Sequence, residues 1–124
     1  MNAWTAGELD TVGEAEELQI ASLRPDGTLW PFVIIWVVRV GDAIYIRSAF
    51  GPDSHWYRHA RASGAGRIRA GVVERDVVFV EPEPNTRDAI DAAYHAKYDS
   101  YGAVLVGHVV DEQARELTIR LLPR

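Results

Sequence analysis

The amino-acid sequence predicts a mainly β protein of the α+β class, a small antiparallel barrel of about six strands with peripheral helices. Three observations support this prediction. Strand-like segments follow one another in pairs joined by short turns, which indicates antiparallel hairpins. The run FVIIWVV at positions 32–38 is apolar throughout, as in a strand buried on both faces, and such a strand requires a sheet that curls around a core. The length of 124 residues fits one domain, residues 1–124.

A short helix is predicted near the N-terminus. Thr5 and Glu8 have the spacing of a capping box, in which each side chain accepts a backbone N–H of the first turn. Trp4 can pack against Leu9 across the start of this helix. We expect Gly13 to interrupt the helix, because glycine is a poor helix former.

Three strands are predicted next. Leu18 to Arg24 alternates between apolar and polar residues well enough for the first strand. Pro25-Asp26-Gly27 is a turn, because proline presets φ and glycine accepts a positive φ. The apolar run lies inside the second strand, Thr28 to Val40. Gly41-Asp42 then closes a hairpin into the third strand, Ala43 to Ala49.

The register of this hairpin brings aromatic and cationic side chains together. With Gly41-Asp42 as the loop, Val40 lies opposite Ala43 and Trp36 lies opposite Arg47. Side chains alternate across a strand, so that one face is shared by several residues. These are Ile34, Trp36, Val38, Tyr45 and Arg47.

A polar stretch, RSAFGPDSHWYRHAR at positions 47–61, runs from the third strand into a second helix. Phe50 to Asp53 contains a glycine and a proline and is predicted to be a loop. Its last residue or Ser54 caps the helix, which extends from His55 to about Ala62 and ends at Gly64.

A second hairpin is predicted from Arg67 to Ala70 and from Val73 to Val80, around Gly71-Val72. This register places two pairs of opposite charge across the strands, which supports it. The pairs are Arg69 with Glu74 and Arg67 with Asp76.

The C-terminal part is predicted to be largely helical before a last strand, Leu117 to Leu122. Asn85 is expected to cap a helix that carries Asp88 in its first turn. One face of this helix carries Ile90, Tyr94, Lys97 and Tyr101, with Tyr98 beside them. This stripe either covers a flat ligand or packs inward while the lysine reaches water, and packing is favoured. Gly102 ends or bends the helix, and Ala103 to Val110 is a helix or a strand, with helix favoured.

Composition and charge exclude several classes of protein. The chain has no cysteine, which excludes disulfides and thiolate metal sites. The net charge of -5, from 13 basic and 18 acidic residues, argues against a nucleic-acid binder. No signal peptide is visible, and the longest apolar run is far shorter than the ~20 residues of a membrane span. We therefore expect a soluble, cytoplasmic protein that binds neither nucleic acid nor membrane.

The polar stretch is the strongest candidate for a ligand site. A helix N-terminus presents free N–H groups and a partial positive charge, which suit an anion. Ser54 and His55 stand at that N-terminus, and the preceding strand delivers Arg47 and Ser48. The planar guanidinium can donate two hydrogen bonds to a phosphate.

The aromatic residues of the same stretch allow two interpretations. Trp56 and Tyr57 either form a wall on which a ring stacks, or they pack inward. In the second case the helix is an ordinary amphipathic one, with Trp56 and Ala60 in the core and with Arg58 and Arg61 in water.

The sequence gives little support for a metal site or for a catalytic nucleophile. His55 and His59 are four residues apart on one helix face, but a catalytic zinc site usually needs a third protein ligand. Trp56 also stands where the HExxH motif has its glutamate. No GxSxG elbow is present. We therefore predict no metal site, and the sequence identifies no catalytic residue.

Several runs together resemble one bacterial family. They are WTxxELD at 4–10, IASLRPDG at 20–27, IWVVRVGDAIYIRSAFG at 35–51 and AYHAKY at 93–98. They look like the uncharacterised domain-of-unknown-function family 2255 over nearly the whole chain. The family label implies no activity.

More remotely, the order of elements resembles the split β-barrels, which include pyridoxamine-phosphate-oxidase-like flavin proteins and deazaflavin-dependent nitroreductases. In the latter, an H-P-x-W-[YF]-x-N-L helix after the third strand helps to bind the cofactor phosphate. The corresponding run here begins at Ser54 and keeps the aromatic pair Trp56-Tyr57, while His59 replaces the asparagine.

This resemblance implies a split β-barrel that binds FMN or a deazaflavin coenzyme and, if it is an enzyme, reduces a small organic substrate. It also implies a homodimer, since such barrels commonly bind their cofactor at a dimer interface. The implied phosphate contacts are Arg47, Ser48, Ser54 and His55, and the ring is framed by Trp36 and Trp56 with Tyr57 beside them. The alternative is a cofactor-free barrel that binds another small molecule or simply dimerises, without enzymatic activity.

Overall fold

A computed structural model of the chain describes residues 3–124, and over these residues one seven-stranded sheet forms. The strands are β1 (Leu18–Ser22), β2 (Val33–Ile35), β3 (Val38–Val40), β4 (Ala43–Arg47), β5 (Ala65–Ala70), β6 (Val73–Val80) and β7 (Thr118–Pro123). The helices of the same residues are α1 (Ala6–Glu14), α2 (His55–Ser63), α3 (Arg87–Tyr98), α4 (Ala103–Val110) and the short α5 (Glu112–Glu116). A 3-10 turn, Asp99–Tyr101, joins α3 to α4.

The sheet curls so that its two edges approach each other. Neighbouring strands are antiparallel and follow the order β2-β1-β5-β6-β7-β4-β3. β2 and β3 are therefore opposite edges, yet only Trp36 and Val37 separate them along the chain. The three Cα–Cα steps from Ile35 to Val38 span at most about 11 Å, which forces the edges together. The predicted fold is thus confirmed as a curled half-barrel with peripheral helices.

The second predicted strand is wrong in its extent and in its burial. Thr28 to Val40 forms two short strands with different partners, and this raises the strand count over the described residues to seven. Val33 and Ile34 are 37% and 61% exposed, because β2 is an edge strand that pairs only with β1. The strand buried on both faces is β4, in which all five residues are buried.

The β3–β4 hairpin has the predicted loop but a shorter ladder. Val40 pairs with Ala43, as expected. The predicted pairing of Trp36 with Arg47 does not form, because β3 begins only at Val38. Trp36 instead belongs to the link between the two edge strands.

The β5–β6 hairpin has the predicted register. Arg67 lies opposite Asp76, and Arg69 lies opposite Glu74. The Nε atoms of the two arginines lie 3.0 and 3.1 Å from the carboxylate oxygens of these partners. The charge pattern on the two strands therefore identified their pairing correctly.

Two hydrophobic cores lie on the two faces of β4. Ile44 and Ile46 point into the barrel, where they pack with side chains of α1, α2 and the other strands. Ala43 and Tyr45 point the other way, into a second core formed with α3 and α4. The end of β4, at Arg47, consequently lies where the barrel meets its outer helices.

The N-terminal helix has the predicted capping box. The Thr5 hydroxyl accepts the Glu8 N–H, and the Glu8 carboxylate accepts the Thr5 N–H. The helix continues to Glu14 and is not interrupted at Gly13, contrary to the prediction. A Cβ at Gly13 would lie 2.9 Å from Cδ of Arg39, so glycine here makes room for a neighbouring side chain.

The elements after β6 follow the prediction with small shifts. α3 begins after Thr86 and not after Asn85, which adopts a left-handed conformation with φ of 69°. Ala103–Val110 is helical, which was the favoured alternative, and the last strand is β7. None of the helices formed by residues 3–124 is long and apolar enough to cross a membrane.

α3 packs on the sheet through part of the predicted stripe, since Tyr101 lies in the 3-10 turn beyond the helix and is exposed. Ile90, Tyr94 and Tyr98 are fully buried. The Lys97 ammonium does not extend freely into water as expected, because it donates to the Val37 carbonyl at 2.7 Å. Burial lowers the pKa of Lys97 to about 8. The stripe therefore holds the helix, and through Val37 it also holds the link between the edge strands.

Candidate functional site

Two cavities open beside the first turn of α2, and five of the seven predicted site residues line one or both of them. The first cavity has a volume of about 310 Å³. Its walls are the β2–β3 link, the end of β4, the start of α2 and one face of α4. Four of the seven predicted site residues line it: Trp36, Arg47, Ser54 and Trp56.

Trp36 is held in the cavity wall by α3. Its indole lies parallel to the Tyr98 ring, with centroids 4.1 Å apart and planes 4° apart. The Tyr98 hydroxyl donates to the Glu16 carbonyl at 2.7 Å and accepts the Val37 N–H at 3.2 Å. Ring stacking and backbone hydrogen bonds therefore fix the same short link, and the indole has one orientation.

Arg47 is 2% exposed, and its guanidinium is bonded to its own chain. Nε donates to the Thr118 hydroxyl at 2.9 Å, and Nη1 donates to the Asp91 carboxylate and to the Val109 carbonyl. The guanidinium also lies 5.5 Å from the centroid of the Tyr94 ring. Arg47 therefore ties β4 to β7, α3 and α4, and it offers the cavity little free donor capacity.

The two serines shape the entrance to α2. Ser48 is buried, and its hydroxyl donates to the Gly51 carbonyl at 2.6 Å and lies 3.1 Å from the Ser54 hydroxyl. Ser54 is the N-cap residue of α2, but its side chain makes no capping hydrogen bond. The first N–H groups of α2 are thus left without a side-chain cap beside the first cavity.

The remaining two predicted residues point elsewhere. His55 lines the second cavity together with His59. Tyr57 is 7% exposed and belongs to the barrel core, with its ring edge-on to that of Trp56. Tyr57 therefore packs inward, as in the alternative interpretation, and does not share a cavity with Trp36.

Sequence reasoning missed the α4 face of the first cavity. Leu105, His108 and Val109 line it, and the exposed Phe50 faces His108 with ring centroids 5.4 Å apart. The spacing 105, 108, 109 is that of one helix face, so the signal was present. It could not be assigned to the cavity without knowing that α4 packs beside Trp36.

The mouth of the first cavity is rimmed by exposed apolar side chains. Phe50 is 79% exposed, Ile34 61% and Leu105 48%, and all three line the cavity. Val104 is the neighbour of Leu105 and is 79% exposed. Apolar groups gathered around one opening are typical of a binding surface.

The second cavity, of about 350 Å³, lies on the other side of Trp56, which lines both. Trp30 and His59 stack in its wall, with ring centroids 3.9 Å apart and planes 6° apart. The Arg24 guanidinium lies 4.6 Å from the centroid of the same indole. This cavity is therefore aromatic and cationic, whereas the first is largely apolar.

Metal-ligating side chains do not cluster in the part of the chain that the structure describes: no group of three or more comes together. The rings of His55 and His59 lie 6.4 Å apart, and His59 is stacked on Trp30. This arrangement supplies the two histidines with an aromatic environment and no third ligand.

Residues 8–121 match a family described as "Uncharacterized protein conserved in bacteria (DUF2255)", which confirms the resemblance noted in the sequence. No curated protein matches the chain in sequence.

Solved structures share the fold at low sequence identity. The heme storage protein HutZ from Vibrio cholerae is 13% identical over 93% of this chain and 86% of that chain, with a TM-score of 0.66. An F420-H2 dependent reductase (FDR-A) is 14% identical over 86% of this chain and 93% of that chain, with a TM-score of 0.62. A FAD-binding protein from Mesorhizobium loti is 17% identical over 98% and 91%, with a TM-score of 0.54. At such identities the likeness shows the fold alone.

Proposed function

The chain belongs to the DUF2255 family, and we propose that it binds the ring system of a flavin or deazaflavin nucleotide in the first cavity. The observation that carries this proposal is an open apolar cavity with two indoles, Trp36 and Trp56, in its wall and the uncapped start of α2 beside it. Aromatic walls suit a flat ring, and free N–H groups suit a phosphate.

The size and lining of the cavity fit the ring portion of such a nucleotide. A volume of about 310 Å³ lies at the small end of the range of about 300–1,000 Å³ for ligand pockets. Ile34, Leu105 and Val109 supply apolar contacts, while Ser54 supplies a polar one. The ring would occupy the cavity, and the tail of the nucleotide would leave it.

The phosphate is assigned to the start of α2. The Ser54 hydroxyl and the uncapped N–H groups that follow it would be its main donors, with Ser48 orienting Ser54 from behind. Arg47 would act mainly as a positioning residue, because most of its donors are bonded to Thr118, Asp91 and Val109. In this proposal the principal phosphate ligands are therefore the Ser54 hydroxyl and the N–H groups of α2, and not the Arg47 guanidinium.

The structural neighbours support a cofactor of this kind. Two of them are named for F420-H2 and for FAD, both of which carry a flat ring and phosphate groups. A bound flavin or deazaflavin would supply hydride chemistry for the reduction of a small organic substrate. The protein would bind and orient the ring at Trp36 and Trp56, and its apolar rim would exclude water.

Heme is a second candidate, favoured by one observation. His108 lines the first cavity, and histidine is a common axial ligand of heme iron. HutZ, with the same fold, is a heme storage protein. Replacing His108 with Ala distinguishes the two, since it would remove an axial ligand and leave a flavin ring in place.

The cofactor-free alternative predicts a hollow filled by its own side chains, such as Trp36 stacked on Arg47. Trp36 is stacked on Tyr98 instead, and the cavity in front of it is open. This arrangement favours a ligand.

A homodimer is part of the same proposal. The exposed rim of Ile34, Phe50 and Leu105 would be covered by a second copy, which would close the mouth of the cavity. Replacing Phe50 with Ser should shift the protein toward monomer in sedimentation velocity. Val72 is 96% exposed in the β5–β6 turn, away from the rim, so that Val72→Ser is the matched control and should not shift it. Equal behaviour of the two variants would argue against this interface.

The test of ligand binding is an absorbance scan of the purified protein followed by thermal unfolding with added FMN, deazaflavin coenzyme or heme. A ligand at 100 times its dissociation constant should stabilise the fold by about 2.7 kcal/mol. A shift with FMN or the deazaflavin coenzyme that His108→Ala retains supports the proposal. A shift with heme alone, lost in His108→Ala, assigns the cavity to heme. The absence of a shift with all three contradicts both.

A further inference from the structure

We propose that the second cavity, walled by Arg24, Trp30 and His59, binds the anionic group of a small organic molecule, a carboxylate or phosphate carried on an apolar body. This site is separate from the first cavity, and its own side chains recognise the anion without the help of a cofactor.

Arg24 differs from most arginines of the chain because it has no ion-pair partner among residues 3–124. Most arginines of residues 3–124 form an ion pair with a carboxylate. Arg24 has no carboxylate oxygen within 4.0 Å among these residues. Arg58 and Arg124 also lack such a partner, but both are exposed to water, whereas Arg24 is partly buried. A partly buried guanidinium without an anion is therefore particular to this cavity.

The hydrogen bonding of Arg24 points the same way. Its Nε atom is buried and has no acceptor among residues 3–124. Leaving a buried donor unpaired costs free energy, and the cost is larger for a charged group. An anion in the cavity would give the guanidinium an acceptor that the fold does not supply.

The rest of the wall defines the ligand. His55 and His59 add two imidazole rings that can donate hydrogen bonds, and Ser22 adds a hydroxyl. Burial, together with the charges of His55, Arg58 and Arg24, lowers the pKa of His59. The remaining wall is apolar or aromatic and includes Ile20, Pro31, Val33 and Trp56. The ligand should therefore have a charged end and an apolar body.

A purely structural role for Arg24 is the competing explanation. Its guanidinium lies against the Trp30 indole, and a cation–π contact could be its only purpose. The two explanations differ in what Arg24→Met does. Methionine keeps an apolar contact with the indole and removes the unpaired donor, so that the fold should be as stable or more stable if the charge serves a ligand.

The anion can come from two sources, which the experiment separates. One source is the phosphate of the nucleotide proposed for the first cavity, because His55 at the start of α2, where that phosphate is assigned, also lines the second cavity, and this source rests on the proposed function. A free substrate with a carboxylate or phosphate is the other source. FMN and riboflavin share the same ring, but only FMN carries a phosphate. Comparing the binding of the two therefore tests whether the nucleotide phosphate is the anion.

The experiment compares wild type, Arg24→Met and the matched control Arg58→Met, which removes an unpaired charge from the same region outside the cavity. Phenyl phosphate and benzoate are titrated, and binding is followed by thermal unfolding and by tryptophan fluorescence. We expect binding to wild type and to Arg58→Met, with binding to Arg24→Met at least about tenfold weaker, the factor for one lost charged hydrogen bond. The urea midpoint of Arg24→Met should be unchanged or higher.

Equal binding of both probes to wild type and Arg24→Met, or no binding to wild type, would overturn the proposal. A marked fall in the urea midpoint of Arg24→Met would assign the guanidinium a structural role and would also overturn it. Where the probes behave as expected, weaker binding of FMN but not riboflavin to Arg24→Met identifies the anion as the nucleotide phosphate. Unchanged binding of both identifies a separate substrate. If the probes bind and neither FMN nor the deazaflavin coenzyme does, the proposed function fails while this inference stands.

Discussion

Tyr94 and Tyr98 lie one turn apart on α3, both fully buried, with ring centroids 6.1 Å apart, and their hydroxyls differ completely in hydrogen bonding. The Tyr98 hydroxyl bonds to the backbone of Glu16 and Val37. The Tyr94 hydroxyl has no partner among residues 3–124. Both tyrosines therefore pack α3 against the rest of the protein, but only Tyr98 also bonds to the link between β2 and β3 that carries Trp36.

Replacing Tyr98 with Phe should lower the free energy of unfolding by about 1–3 kcal/mol, because buried backbone groups lose their partner. Tyr94→Phe is the matched control and should change stability by less than about 1 kcal/mol, since no hydrogen bond is lost. Urea unfolding of the three proteins measures both. If Tyr94→Phe were the more damaging change, the hydrogen bonding described for α3 would be wrong.

Arg47→Ala should lower the free energy of unfolding by about 3–5 kcal/mol, the cost of removing one partner of a buried ion pair. The value should lie at the low end, because Asp91 keeps Arg115, whose Nε is 3.2 Å from its carboxylate. Arg61→Ala removes an exposed ion pair with Glu81 and should cost less than about 1 kcal/mol. Similar losses in the two variants would show that Arg47 is not the buried tie between β4 and the outer helices.

Lys97 should make stability rise with pH in alkaline solution. Burial lowers its pKa from 10.5 to about 8 in the folded protein. Below pH 8 both states are protonated, and the destabilising effect of the buried charge is fully present. As pH rises from about 8 the folded protein loses this proton first, so the unfolded chain holds more protons and stability rises until about pH 10.5.

Lys97→Met should lack this rise, and urea unfolding of both proteins between about pH 7 and about pH 10 measures the difference. Burial raises the pKa of Tyr94 and Tyr98, and their contribution is lost only as pH rises through the unfolded tyrosine value near 10. Both proteins share that loss, so it cancels in the comparison. Parallel pH profiles would mean that the Lys97 ammonium is not desolvated.

Gly66→Ala should destabilise the fold by about 1–3 kcal/mol, the range for overpacking. Its Cβ would collide with the Ala21 carbonyl on β1 and lie 3.0 Å from the ring of Phe79. Gly7 in α1 is the opposite case, because a Cβ added there would meet no atom within 4 Å, and Gly7→Ala should stabilise by about 0.5–1 kcal/mol. Thermal unfolding checks both signs, and a stable Gly66→Ala would contradict the close approach of β1 and β5.

The elements that local chemistry defines were predictable from the sequence. The capping box of Thr5 and Glu8 and the charge pairs of the β5–β6 hairpin each involve residues close in the chain. The apolar run at 32–38 was misassigned, because an apolar edge strand and a doubly buried strand have the same composition. Burial of a strand on both faces depends on tertiary packing: helices cover the outer face of β4, whereas β2 stays partly exposed.

The candidate site was predictable only in part for the same reason. Trp36, Arg47, Ser54 and Trp56 do line one cavity. The sequence could not show that Asp91 and Thr118 satisfy Arg47, since both lie far along the chain. Nor could it show that α4 completes the wall, because a helix face has no visible partner until the helices are packed.

The central claim, that the first cavity binds a flavin-type ring, is tested most directly by comparing two adjacent substitutions on α4. Leu105 lines the cavity, whereas Val104 is exposed beside it and does not. Fluorescence titration with FMN and with the deazaflavin coenzyme is carried out on wild type, Leu105→Glu and Val104→Glu. We predict that one of these ligands binds wild type and Val104→Glu alike and binds Leu105→Glu at least about tenfold more weakly, because a carboxylate would replace an apolar contact with the ring. Equal binding to all three proteins, or no binding of either ligand to wild type, would contradict the claim.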